Sequence, residues 1–115
     1  GSKATSNGPT ITAALTTMKQ NGLFFVDSRT SSNTVAEEKA AALGMRTGHN
    51  SLFLDNSADE ETIRRQIGKA IALADQYGSL IVICHARPHT AAAWEKSVAA
   101  IQATGIRLVP VTDVL

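Results

Sequence analysis

Two side chains in this sequence stand where a reactive group is commonly built. Asp27 directly follows the apolar run Leu23-Phe24-Phe25-Val26, and His85 directly follows Leu80-Ile81-Val82-Ile83-Cys84. A carboxylate or an imidazole at the end of a buried run is partly desolvated and needs partners, the condition in which acid–base groups are tuned. The imidazole could take and return a proton near neutral pH or ligate a metal, and the carboxylate could act as base or orient the imidazole. Arg29 and Arg87 add a cation beside each. Asp55-Asn56 follows Leu52-Phe53-Leu54, and Thr112-Asp113 follows Ile106 to Val111. Turn formation and helix capping explain these last two pairs as readily as function does.

Cys84 offers a competing chemistry. A cysteine ending a strand before a helix, with Arg87 close behind, resembles the sulfur-transfer and phosphatase loops in which a thiolate lies in a nest of N–H groups. Asp27 and Gly48-His49 superficially resemble a rhodanese. Such a cradle needs several converging backbone donors. Only His85 and Ala86 separate Cys84 from Arg87, no glycine lies between them, and Pro88 removes a donor. The simpler reading of Cys84 is a small buried apolar residue.

The elements that must position these residues follow from periodicity. Four glycine signals, at Gly22, Gly44, Gly78 and Gly105, each separate an amphipathic segment from a β-rich one, as a left-handed helix cap does. The chain thus reads αβαβαβαβ. Ile11, Leu15 and Met18; Ile63, Ile67 and Ala74; and Trp94, Val98 and Ile101 recur at helical spacing and predict buried stripes. Thr34-x-x-Glu37 and Ser57-x-x-Glu60 predict capping boxes, while Pro9 and Pro88 suit a first helical turn. Gly68 interrupts a helix. Apolar strands separated by helices imply a parallel sheet of about four strands, whose function gathers at the strands' carboxyl ends.

Composition bounds the rest. At 115 residues the chain is expected to form a single unit, 1–115, with one core. A hydrophobic fraction of 43%, with 18% charged residues and mean hydropathy of −0.01, excludes disorder. Eleven Lys+Arg against ten Asp+Glu, without a basic run, argue against a nucleic-acid partner. No apolar stretch approaches the roughly 20 residues of a membrane span. One cysteine closes no intramolecular disulfide.

In order along the chain, four motifs resemble the divergent polysaccharide deacetylases, relatives of metal-dependent carbohydrate esterases with a distorted (β/α) barrel. Gly1-Ser2-Lys3 with Thr5-Ser6-Asn7 looks like the end of that family's Asn-His-Met-Gly-Ser segment. Gly22 to Thr30 looks like its Asp-Ser strand end, Phe53-Leu54-Asp55-Asn56 like the next strand end, and His85-Ala86-Arg87-Pro88 like its Gly-His-Pro-x-Pro corner. Cys84 and Ala86 replace the usual Gly and Pro, and His49-Asn50 replaces a usually charged pair.

The resemblance implies that the chain is the C-terminal half of such a domain, lacking a first strand with paired aspartates and the histidine of Asn-His-Met. That half is expected to associate with another copy or with the missing half. The implied activity is hydrolysis of N-acetyl groups on a polysaccharide, assisted by a divalent metal, zinc, in the complete domain. His85 is then the acid or a metal-side group, Asp27 a base or orienter of His85, and Arg29, Arg87, Asp55 and Asn56 substrate contacts. His49 and His89 read as solvated surface residues. A periplasmic or envelope location goes with the family. The competing class is a glycan-binding or envelope structural protein without turnover.

Overall fold

A computed structural model describes residues 1–115, which divide into two compact units, 1–50 with Leu115 and 51–114. The first contains α1 (Ser2–Thr5), α2 (Gly8–Gln20), β1 (Phe25–Asp27), α3 (Ala36–Ala42) and β2 (Thr47–His49). Asn7 starts α2 by accepting the Thr10 N–H at 3.0 Å, and Pro9 occupies the first turn, where no N–H is missed. β1 and β2 are parallel, with Asp27 opposite His49, so two titratable residues share one sheet edge. Ile11 and Leu15 of α2 bury against Ala36 and Ala40 of α3 and against Met45, with Met18 partly buried beside them.

The second unit contains β3 (Leu52–Phe53), α4 (Glu60–Tyr77), β4 (Val82–Ile83), α5 (Pro88–Ala103) and a 3-10 turn at Val111–Val114. β3 and β4 are also parallel, extended by the bonds Ser51 N–H to Ile81 O and Leu54 N–H to Ile83 O. Leu54, Ile63, Ile67, Ala93 and Ile101 form its core. Two clusters of buried side chains thus replace the single core expected from length, because each parallel pair packs its own two helices.

The α/β class and parallel pairing agree with the sequence, as do all four glycine signals. Gly22, Gly44, Gly78 and Gly105 have φ between 69° and 83°, and Gly78 is the left-handed cap of α4. A Cβ at Gly78 would be strained by that backbone angle alone.

Four details differ. The stretch after Gly44 forms two short strands instead of one, because Asn50 closes β2 by donating its N–H to Asp27 O, and Ser51 opens β3. Ile106 to Val111 is not a strand. Pro110 lacks an N–H, no ladder pairs the segment, and Leu108 and Val109 are exposed. Neither capping box forms. Thr34 instead gives its hydroxyl proton to Asp27, while Asp59 caps α4 by accepting from the Thr62 hydroxyl and N–H, which hold its carboxyl below the usual range. The buried stripe of α5 is Thr90, Ala93, Ser97 and Ile101, which leaves Val98 exposed and Trp94 half-buried.

Gly68, in mid-helix of α4, has open space where a Cβ would stand and an ordinary φ. Gly68→Ala is therefore expected to stabilise the protein by about 1 kcal/mol, the difference in helix propensity. A thermal or urea midpoint that fell would refute this.

Candidate active site

His85 and Asp55 meet across 30 residues of sequence because β3 and β4 are paired, so the residues that leave them share an edge. Asp55 is 1% exposed and follows the buried Leu54. Its Oδ1 lies 3.0 Å from His85 Nδ1, and its Oδ2 accepts the His85 backbone N–H at 2.7 Å and the Thr90 hydroxyl at 2.8 Å. Burial, the largest single influence, raises the Asp55 pKa. The His85 N–H, the His85 ring and the Thr90 hydroxyl together outweigh it and hold the carboxyl below its ordinary value.

The ionised carboxylate can only accept, so Nδ1 of the ring must carry a proton. In the neutral imidazole this leaves the Nε2 lone pair free of that partner, on a side chain that is 56% exposed. Such a nitrogen can accept a proton, return it, or ligate a metal. The carboxylate behind it fixes the ring's direction and its tautomer.

The aspartate that orients His85 is therefore Asp55. Asp27, the other carboxylate of the sequence reading, is 2% exposed and belongs to the first unit. Its Oδ1 accepts the Arg29 N–H at 2.9 Å and its Oδ2 the Thr34 hydroxyl at 2.7 Å. The turn so closed holds Arg29 at φ 50°, an unusual backbone for a side chain of this kind. The Arg29 guanidinium donates to Glu37 Oε2 at 2.9 Å, and His49 Nδ1 lies 2.7 Å from the same oxygen. His49 Nδ1 is buried, not solvated, and makes no hydrogen bond there. Asn50, 4% exposed, donates its side-chain N–H to Ser28 O and so ties the loop after β1 to the end of β2.

Of the expected substrate contacts, Arg29, Asn56 and Arg87 are exposed, with Arg87 at the N-cap of α5. Asp55 is not, and its three hydrogen bonds are all internal. Cys84 is exposed, against the expectation of a buried apolar residue, because β4 ends at Ile83. Two N–H groups that a thiolate cradle would draw on are already committed, that of His85 to Asp55 and that of Arg87 to His85 O.

Thr90 was not legible in advance. Its only signal is its place in the first turn after Pro88. No three His, Cys, Asp or Glu side chains come together as a metal-holding group.

A family model described as divergent polysaccharide deacetylase matches residues 1–115. The chain belongs to that family. Among curated proteins it is similar to an uncharacterized protein of Haemophilus influenzae, 39% identical over 92 residues, which are 80% of this chain and 33% of that one. It is likewise 39% identical over 90 residues to the uncharacterized protein YibQ of Escherichia coli, covering 78% of this chain and 28% of YibQ.

The chain thus spans about a third of the length of these relatives. The crystal structure of an uncharacterized Agrobacterium tumefaciens protein, ATU2773, shares the fold at 22% identity, with a TM-score of 0.95 over all of this chain and 47% of that one. In this member of the family, Asp27 to Thr30 closes β1 and His85 to Pro88 joins β4 to α5. No helix is long and apolar enough to cross a membrane.

Proposed function

We propose that this protein removes acetyl groups from an N-acetylated polysaccharide, with His85 as the group that handles the proton. The observation that carries the reading is the buried, ionised Asp55 on Nδ1 of a His85 side chain that is more than half exposed. In this scheme Nε2 gives a proton to the departing amine, and Asp55 stabilises the charged ring beforehand without itself taking the proton. Arg87 and Asn56, exposed in the segments that follow β4 and β3, hold the hydroxyl-rich or anionic edge of the sugar, and Arg29, exposed after β1, is a separate contact carried by the first unit. Asp27 fixes the loop that presents Arg29.

The reading extends to the whole protein as the family implies it. There this chain is half of a distorted (β/α) barrel with an envelope or periplasmic location, and a zinc ion held with the help of residues outside this chain would polarise the acetyl carbonyl when bound. No step above runs through that metal. Association with a further copy or with the rest of the barrel belongs to the same proposal, and exposed Leu23, Phe24 and Leu108 offer apolar surface for it.

The test is acetate release from N-acetylated polysaccharides by the full-length protein, with its mass measured by light scattering. Release is expected, from a particle heavier than one full-length chain. Binding of the polysaccharide without release would turn the assignment to a glycan-binding protein.

A further inference from the structure

We infer that Thr90 is a positioning residue for His85, acting through Asp55; the inference rests on the acid–base reading of His85. Thr90 is 2% exposed on the first turn of α5, and its hydroxyl proton goes to Asp55 Oδ2 at 2.8 Å. That oxygen also accepts the His85 backbone N–H, and the other oxygen faces the ring.

The terminal torsion of an aspartate is broad, so a carboxylate held by one donor can rotate about its last bond. The backbone N–H anchors Oδ2 at a point. The Thr90 hydroxyl, arriving from the helix, adds the second direction that fixes the plane and aims Oδ1 at Nδ1. The ring is 56% exposed, so little packing restrains it, and its direction depends on that one hydrogen bond. The hydroxyl is not spent on capping, since no side chain caps the start of α5.

The experiment compares Thr90→Val and Thr90→Ser in the full-length protein, reading the ring-nitrogen NMR shifts of His85 together with kcat and KM for acetate release. In the unsubstituted protein the ring should hold its proton on Nδ1. Thr90→Val should give averaged ring nitrogens and a kcat lower by about 10- to 100-fold with KM unchanged, and Thr90→Ser should restore both. If the Val variant does not fold, Thr90→Ala, which leaves room for a water, takes its place.

Ring nitrogens and kcat unchanged in the hydroxyl-free variant would overturn the inference. So would a Ser variant as impaired as Val with the ring pattern intact, because that is a purely structural role. If the unsubstituted protein releases no acetate while the ring pattern still responds to the loss of the hydroxyl, the deacetylase reading fails and the positioning role stands.

Discussion

His85→Ala should reduce acetate release by the full-length protein by about 10²- to 10⁴-fold, the usual contribution of a positioned acid–base group. The fold should survive. The ring is more than half exposed, so water can enter where it stood and solvate Asp55 Oδ1, while the His85 backbone N–H and the Thr90 hydroxyl still hold Oδ2. The stability cost is expected to stay within about 1 kcal/mol, the net worth of one hydrogen bond. Cys84→Ser is the matched control. The thiol is exposed and two neighbouring N–H groups are committed elsewhere, so the substitution should leave turnover near its original value. The opposite pattern, in which Cys84→Ser abolishes turnover and His85→Ala spares it, would establish thiol chemistry and remove the deacetylase mechanism.

Asp55→Ala should damage both activity and folding. It strips two buried donors, the His85 N–H and the Thr90 hydroxyl, of their acceptor and frees the ring. Hydrogen bonds to a charged group contribute about 1.5–3 kcal/mol each and are not additive, so a loss of about 3 kcal/mol is expected in urea unfolding at neutral pH. The pH dependence gives a second signature. The folded carboxyl titrates below its ordinary value of 3.8, so between the two values the unfolded chain binds more protons. The stabilisation is therefore fully present above pH 3.8 and is lost as pH falls through the folded value. The gap between the unsubstituted protein and Asp55→Ala should narrow in acid below pH 3.8. A gap that is constant across that range would mean that the Asp55 charge does not carry the stabilisation.

Asp27 and Asp55 look alike in sequence, each an aspartate after an apolar run, and the structure gives them different tasks. Asp27 closes a local turn with Arg29 and Thr34, partners within seven residues. Asp55 reaches a histidine 30 residues away, a partner that only strand pairing can supply. The same contrast holds for Glu37, which local spacing assigns to a capping box. The Arg29 guanidinium, eight residues away and across the turn that Asp27 closes, takes its carboxylate instead.

The features legible along the chain are those that depend on one segment's own chemistry. Glycine alone tolerates the left-handed backbone at Gly22, Gly44, Gly78 and Gly105, so the helix ends were readable. Helical spacing buried Ile11, Leu15, Ile63 and Ile67, and the apolar runs placed Asp27 at the end of β1 and His85 just after β4. Tertiary structure decided whatever needs a partner distant in the chain. It left Ile106 to Val111 without a ladder, turned the buried face of α5 toward Ala93 and Ser97, and brought Cys84 to the surface. It also chose Asp55 and Thr90 as the company of His85, because a hydrogen bond depends on distance in space, and proximity along the chain does not report it when two parallel strands must first be joined through a helix.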